Sequence, residues 1–172
     1  KIANQVLARL ESIDKPCVVH FVGTQKSSTR KNIHLTTDLA TTARVACQLA
    51  EGHSVSAESV VSIDEQLLAK EKAGKNKDQK YIRGLFTGGT MGAEALAFLA
   101  PRLDKVHSNL KHDGSHSCTD KGQHCVVDLG DDEFTRGRPH PMIDPTPRAD
   151  LLMTEANDPT ISVILLDVVL GT

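Results

Sequence analysis

The chain alternates between segments whose apolar residues recur roughly every three or four positions and short runs that are apolar throughout. Helical spacing predicts helices over residues 2–13 and 39–51, while the continuous run at residues 17–23 predicts a fully buried strand. Residues 24–32 are polar and have no period, so we expect a loop there. The beginning of the chain is therefore predicted to form a helix–strand–loop–helix unit.

The second of these helices carries signals at its start and along one face. Thr37 or Asp38 can cap its amino end. The face that we expect to be buried is marked by residues at helical spacing: Ala43, Ala46, Cys47 and Ala50. Since Cys17 also lies in an apolar run, we expect Cys17 and Cys47 to be buried thiols.

Residues 54–80 differ in character from what precedes them. They begin with an amphipathic pattern and end in a run of charged residues rich in lysine. The apolar positions of that pattern are Val60, Val61, Ile63, Leu67 and Leu68. We expect a helix that runs into an exposed basic linker, with phosphate binding as the alternative role of the lysines. This linker is the predicted domain boundary, so the chain divides into residues 1–53, 54–80 and 81–172.

Strands and helices alternate after the linker. The predicted strands cover residues 81–87, 105–110, 124–129 and 160–170, and the predicted helices cover residues 90–99 and 147–156. Residues 111–123 and 130–147 are expected to be loops, the second of them restrained by prolines. Because the strands are apolar throughout, we expect an α/β fold whose parallel sheet is covered by helices on both faces.

Composition and charge narrow the classes of protein to consider. Hydrophobic residues make up 39% and charged residues 24%, which is ordinary for a folded globular chain. The net charge of -2 gives no argument for nucleic acid or an anionic membrane as a partner, and we expect neither. Four cysteines do not form a disulfide framework at this length, so we expect a reducing, cytoplasmic environment.

The first segment whose residues could bind a ligand follows the predicted strand at residues 81–87. Gly88 and Gly89 let the backbone approach a ligand closely, and the N–H groups at the start of the following helix favour an anion such as phosphate. Thr90 can add a hydroxyl. The alternative is a tight strand–helix turn without a ligand, which also uses glycine.

The second segment is the charged loop at residues 128–144. Its acidic side chains are Asp128, Asp131, Asp132, Glu133 and Asp144. Arg136 and Arg138 are suited to bind a phosphate or a carboxylate, and the backbone of His140 is fixed between two prolines. We expect an organised polar site with His140 as an acid or base; the alternative is a loop whose charges pair only with one another.

A third segment is rich in metal-ligating side chains. They are His107, His112, His116, Cys118, His124 and Cys125. Zinc is the metal that this set would suit, but the spacing lacks the paired Cys-x-x-Cys pattern of structural zinc sites. We therefore expect an exposed, histidine-rich loop and no structural metal.

Three ordered motifs resemble the FdrA-like branch of the acyl-CoA synthetases, which are relatives of succinyl-CoA ligase. They lie at residues 81–95, 128–145 and 158–171. The resemblance implies flavodoxin-like, three-layer domains with parallel sheets. Residues 81–172 are similar to the carboxy-terminal ligase domain of the succinyl-CoA ligase β subunit. Residues 1–53 look like the end of a preceding ligase domain, with residues 15–23 as its last strand.

The resemblance also implies a function. In succinyl-CoA ligase the helix after the glycine-rich turn points its amino end at a phosphohistidine, so Gly88, Gly89 and Thr90 would bind that phosphate. CoA and a nucleotide (ATP or ADP) are implied as cofactors, held by domains that this sequence lacks. We therefore expect a fragment of a longer protein, inactive alone, that meets an acyl or carbamoyl substrate, its own CoA-binding domain, and partner subunits or further copies of itself.

The resemblance leaves two histidines as candidates for the reacting side chain. His34 lies at about the distance from Lys15 at which the succinyl-CoA ligase α subunit carries its phosphohistidine, but the Gly-His-Ala-Gly motif is absent. His140 has the more polar setting. The alternatives to acyl-CoA synthesis are carbamoyl transfer in purine-ureide breakdown, which is linked to some FdrA-like proteins, and a non-catalytic role in subunit assembly.

Overall fold

The computed structural model describes residues 2–24, 26–56, 64–111, 118 and 121–169. The chain divides into two compact units, Lys1–Ser62 and Ile63–Thr172. No helix in the described part of the chain is long and apolar enough to cross a membrane.

The first unit contains a small mixed sheet and two helices. Its elements are α1 (Ile2–Leu10), β1 (Cys17–His20), β2 (Ser28–Arg30), β3 (Ile33–Thr36) and α2 (Leu39–Ala50). The strand order is β1-β3-β2; β1 runs parallel to β3, and β2 runs antiparallel to it. The expectation of a purely parallel sheet is therefore wrong for this unit, and the strand at residues 15–23 is not its last.

A hairpin explains why the sequence pattern missed β2 and β3. All three residues of β2 are exposed, so the strand has no apolar signature and was expected to be a loop. Lys31 adopts a left-handed conformation in the turn. The side-chain amide of Asn32 then donates to the carbonyl oxygens of Leu10, Ile13 and Lys15. These bonds tie the hairpin to the end of α1.

Helix α2 begins where expected but buries a different face. The carboxylate of Asp38 accepts a 2.7 Å hydrogen bond from the Thr41 backbone N–H, which confirms the predicted cap. The helix packs on the sheet through Val45, which is 3% exposed, and through a bond between the Thr42 and Thr36 hydroxyls. The face that the spacing assigned to the core is instead exposed: Ala43, Ala46, Cys47 and Ala50. Cys47 is thus an exposed thiol, and Cys17 is only half-buried.

The second unit is built on a parallel sheet. Its elements are α3 (Glu65–Gly74), β4 (Tyr81–Phe86), α4 (Gly89–Leu99), β5 (Val106–Ser108), β6 (His124–Asp128), α5 (Asp132–Thr135), α6 (Thr146–Ala156) and β7 (Ile161–Leu166). The strand order is β5-β6-β4-β7, and all neighbouring pairs are parallel.

Helices cover both faces of this sheet. Phe86, Val106 and Val126 face α4, while Leu85 and Val127 face the side of α5 and α6. The predicted α/β fold, a flavodoxin-like three-layer arrangement with a parallel sheet, is confirmed for this unit. Burial of both faces explains why its strands are apolar throughout.

Three details of the second unit differ from expectation or extend it. The short helix α5 forms inside the predicted loop at residues 130–147. Leu67 and Leu68 lie on α3 but are largely exposed, and the other apolar positions of that pattern fall outside the described residues: Val60, Val61 and Ile63. Cys118 and Cys125 form a disulfide that the cysteine count did not predict.

Candidate functional site

The carboxyl ends of three neighbouring strands carry the polar residues of the second unit. Thr87 follows β4, Asp128 ends β6, and Asp167 follows β7 directly after Leu166. In an open parallel sheet this edge is where ligands bind. We describe this cluster, together with the start of α4 and His140, as the carboxyl-edge site.

Asp128 is held rigidly at the centre of the carboxyl-edge site. Asp128 is 7% exposed, and one of its carboxylate oxygens accepts a 2.9 Å hydrogen bond from the N–H of Gly130. The side chain of Asn109 clamps its backbone from both sides, accepting from the Asp128 N–H at 2.9 Å and donating to its carbonyl at 2.8 Å. Asn109 is thus a positioning residue that the sequence pattern did not reveal.

Burial raises the pKa of the Asp128 carboxyl above its ordinary value. The nearby charges of Asp131 and Asp167 act in the same direction, while the Gly130 N–H and His140 partly oppose them. A buried carboxyl group with a raised pKa beside a histidine is typical of a functional site.

His140 lies against Gly130 with one ring nitrogen already engaged. The backbone N–H of Met142 donates to Nδ1 of His140 at 3.2 Å, so the neutral ring carries its proton on Nε2. A Cβ on Gly130 would lie 2.5 Å from that Nε2 and 2.8 Å from the Thr87 carbonyl oxygen. Only glycine leaves room for this approach, and Nε2 of the neutral ring is left as a hydrogen-bond donor.

The amino end of α4 supplies free donors to the same edge. Gly88 is the N-cap in an extended conformation, and among the described residues no side-chain hydrogen bond caps this end of the helix. A Cβ on Gly89 would lie 3.0 Å from a carboxylate oxygen of Asp128, so the turn and the acid are in close contact. Thr90 is exposed at the first turn. The uncapped N–H groups can bind the oxygens of an anionic or carbonyl ligand.

A second carboxylate at this edge was missed by the sequence analysis. Asp167 accepts hydrogen bonds from the backbone N–H and the hydroxyl of Thr87 at 2.8 and 2.9 Å, and it pairs with Arg148 at 3.4 Å. These bonds link β4, β7 and α6. The strand was predicted to run over residues 160–170, and the one charged residue in that run, Asp167, was a signal that could have found it.

Most of the charged loop serves its own folding. Asp131 caps α5 by accepting from the Glu133 N–H at 3.0 Å, and Asp132 and Glu133 lie exposed in its first turn. Hydrogen bonds from the side chain and then the N–H of Thr146 lower the pKa of Asp144, and the charge of Arg138 adds to this effect. Asp131 and Asp144 thus bond to backbone groups near them, and Asp132 and Glu133 lie at the surface, whereas Asp128 is buried at the sheet edge.

The two arginines of the loop lie outside the buried cluster. Arg136 is the C-cap of α5, and Arg136 and Arg138 are both exposed. They can contact a ligand only at the open side of the carboxyl-edge site. The structure therefore brings Gly89, Asp128 and His140 together and leaves the arginines at the surface.

His34 belongs to the first unit, on β3. Its Nδ1 is buried without a hydrogen-bond partner in the described part of the chain. His34 and His140, the two residues considered for catalysis, thus lie in different units.

The histidine-rich segment has other roles where it is described. Cys118 and Cys125 are joined to each other, and Nδ1 of His124 accepts a 3.1 Å bond from the Ile82 N–H. Burial and the charge of Arg83 lower the pKa of His124. His112 and His116 fall outside the described residues, and His107 lies on β5. Within the described ranges, no three His, Cys, Asp or Glu side chains are grouped to hold a metal.

The second unit has a parallel sheet between two layers of helices, a glycine-rich strand–helix turn, and polar groups at the carboxyl edge of the sheet. These features define an α/β ligand-binding domain of the flavodoxin-like class. The family model described as CoA-ligase matches residues 85–172, about half of the chain, and includes the whole carboxyl-edge site. The chain belongs to the CoA-ligase family, whose members are succinyl-CoA ligase-like.

One curated relative matches nearly the whole chain. It is the uncharacterized protein YahF of Escherichia coli (strain K12), which is 35% identical over 174 aligned residues, or 99% of this chain. The chain spans 34% of the length of YahF.

Proposed function

We propose that this chain is part of an FdrA-like acyl-CoA synthetase and that its carboxyl-edge site binds an acyl or phosphoryl group. The single observation that carries the proposal is that Asp128 lies against both Gly89 and Gly130, and His140 against Gly130, within the segment matched by the CoA-ligase model. The residues that would bind and process the group follow each other along one sheet edge.

Each residue has a role that its chemistry supports. The N–H groups at the start of α4, next to Gly88, Gly89 and Thr90, bind oxygens of the transferred group. The Nε2–H of His140 donates a hydrogen bond to an oxygen that gains negative charge, and the Asp128 carboxyl accepts a hydrogen bond from the transferred group. Arg136 and Arg138 attract the anionic substrate from solvent.

Two of the family's cofactors, CoA and the nucleotide, do not fit the carboxyl-edge site itself. A single transferred group can be bound by the N–H groups at the start of α4 alone, whereas the several charges of a diphosphate would also lie against the acids Asp128, Asp131 and Asp167, away from the exposed arginines. We therefore assign the binding of CoA and of ATP or ADP to other parts of the full-length protein, and we route no step through them here.

A carbamoyl group is the second candidate substrate. The hydrogen bond to Nδ1 of His140 favours a proton donor rather than a phosphohistidine, and transfer of a carbamoyl group needs no phosphorylated histidine. The planar carbamoyl group offers an oxygen to His140 and amide hydrogens to the Asp128 carboxylate. This alternative retains every role assigned above except the binding of a phosphoryl group.

The experiment compares the full-length protein with its His140→Asn and His53→Gln variants. His53 is an exposed histidine of the first unit and serves as the matched control. Turnover is assayed with acyl-CoA plus phosphate and nucleotide, and separately with carbamoyl phosphate. We expect His140→Asn to lower turnover by about 100-fold or more, typical of a lost hydrogen-bond donor to developing negative charge, and His53→Gln to retain it. Equal turnover in all three proteins would favour the assembly role and contradict the proposal.

A further inference from the structure

A disulfide lines a cavity on the α5 and α6 side of the second sheet. Cys118 and Cys125 form this disulfide, and both residues line the cavity, whose volume is about 340 Å³. The other walls include Phe134 of α5 and Leu151 of α6. A cavity of this volume is within the usual range for small-molecule sites. It is therefore large enough for a small thiol to lie beside the disulfide.

The two cysteines of this disulfide differ in their access to solvent. Cys125 lies on β6 and is only 1% exposed, because it belongs to the buried cluster that also contains Leu85 and Val127. Cys118 packs against that cluster but is only half-buried. Access is one of the factors that decide which sulfur of a disulfide is attacked. An incoming thiolate therefore reaches the sulfur of Cys118 more readily than that of Cys125.

The loop that the disulfide closes is short, since the two cysteines are 7 positions apart in the sequence. In the chain-entropy account, a disulfide stabilises a fold by restricting the unfolded chain, and this effect grows with the length of the loop. The second unit also buries apolar clusters on both faces of its sheet. We therefore expect the fold of this unit to persist when the bond between the two sulfurs is broken.

A buried cation lies on the same sheet face as the Cys125 sulfur. Arg83 on β4 is the register partner of Cys125 on β6, and both line the cavity. The guanidinium is 3% exposed and donates to Glu155 and to the Gln123 carbonyl oxygen. Glu155 offsets part of this charge, and Glu133 also lines the cavity but is exposed. A nearby arginine favours the thiolate form of a cysteine, so Arg83 makes Cys125 a better leaving group.

We propose that Cys118 is a thiol–disulfide exchange site for a low-molecular-weight thiol. The thiolate of the small thiol bonds to Sγ of Cys118, the bond between Cys118 and Cys125 breaks, and its electron pair leaves on Sγ of Cys125. A second small thiolate attacks the sulfur of the first, which releases the Cys118 thiolate and the disulfide of the small thiol. The two protein thiolates take up the protons that the small thiols lost. One protein disulfide is thus reduced while two small thiols are oxidised. This exchange does not depend on the function proposed for the carboxyl-edge site.

The test equilibrates the full-length protein with reduced and oxidised glutathione in varying ratio. The exchange is stopped with acid, and differential alkylation followed by mass spectrometry gives the oxidation state of each cysteine. We expect Cys118 and Cys125 to change together from disulfide to thiols as the square of the reduced glutathione concentration, with the circular dichroism of the fold retained. A disulfide that persists in the most reducing buffer would overturn the proposal, and so would free thiols in the most oxidising one.

Two variants identify the sulfur that is attacked. Cys125→Ala leaves the Cys118 thiol without its partner, and oxidised glutathione should form a stable mixed disulfide with it. In Cys118→Ala the corresponding adduct on Cys125 should be lost, because that residue is buried. Cys47, an exposed free thiol, is the matched control and should form the adduct in both variants. An adduct on Cys125 in place of Cys118 would contradict the proposal. If a variant does not fold, the wild-type titration decides the question.

Discussion

Asp128 shows how a single side chain can be tuned by its surroundings. It is almost completely buried, two acids lie nearby, and one N–H group and a histidine partly offset their effect. Asp144, only a loop away, experiences the opposite balance because it is exposed and hydrogen-bonded to Thr146. The pKa of Asp128 is therefore raised and that of Asp144 is lowered, so the contributions of the two groups to stability change in opposite directions as the pH rises.

The Asp128→Asn variant tests this assignment through stability. Because the folded protein raises the pKa of Asp128, the carboxyl stabilises the fold fully only below 3.8, the ordinary value, and this contribution is lost as pH rises through the raised pKa. The amide oxygen of asparagine can still accept from Gly130. We therefore expect the variant to gain free energy of unfolding relative to wild type as the pH rises from acid to neutral, measured by urea denaturation.

Asp144→Asn is the control of opposite sign. The pKa of Asp144 is lowered in the fold, so its contribution is present above the ordinary value and is lost as pH falls through the lowered pKa. This variant should be less stable than wild type at neutral pH and equal to it in acid. A parallel pH response of the two variants would show that the environment of Asp128 is described incorrectly.

At the scale of single residues, the sequence analysis named some of the residues that the structure places at the carboxyl-edge site. Gly88, Gly89, Asp128 and His140 were found because they follow predicted strands or sit between prolines. Asp167 was not found, because its partner Thr87 lies 80 residues away and only the sheet order brings the two together. Such long-range pairs leave no local pattern.

At the scale of elements, a buried ion pair joins the central strand to a covering helix. Nε of Arg83 on β4 lies 2.9 Å from a carboxylate oxygen of Glu155 on α6, and the two side chains are 3% and 11% exposed. Arg83 also donates to the Gln123 carbonyl. This pair fixes α6 on one face of the sheet.

Removing one partner of this pair should be strongly destabilising. Glu155→Leu leaves the Arg83 charge buried, and we expect a loss of about 3–5 kcal/mol in the free energy of unfolding. The double variant Arg83→Met/Glu155→Leu should lose less than the single one, because the buried guanidinium is removed together with the carboxylate. Urea denaturation monitored by circular dichroism measures both.

The exposed pair between Arg30 and Glu11 is the matched control. Glu11→Gln should cost about 1 kcal/mol or less, since solvent screens this pair. A Glu155→Leu variant as stable as Glu11→Gln would show that the buried pair does not hold α6 on the sheet.

The elements themselves were predictable to different degrees. The buried strands β4, β6 and β7 and the helices α2 and α4 follow from apolar runs and helical spacing, and their bounds differ from the structure by only a few residues at most ends. The exposed edge strand β2 and the one-turn helix α5 escaped, because hairpin geometry and a capping carboxylate determine them rather than hydrophobic burial. The buried face of α2 could not be predicted from the spacing of its apolar residues either, because the sheet on which the helix packs determines that face.

At the scale of the whole molecule, both proposed sites lie in the second unit. The carboxyl-edge site lies within the part matched by the CoA-ligase model. The disulfide between Cys118 and Cys125 lies in the same part. The sequence predicted two units of α/β type, but the mixed sheet of the first could not be foreseen from a strand without apolar residues.

The most direct measurement of the central claim is a titration of the chain with acetyl phosphate, which carries both an acyl and a phosphoryl group, while the ring signals of His140 are followed. The account predicts a saturable shift of those signals, weakened in the double variant Arg136→Gln/Arg138→Gln. If the His140 signals do not move at any concentration at which the protein stays folded, the carboxyl-edge site does not bind the transferred group and the central claim is wrong.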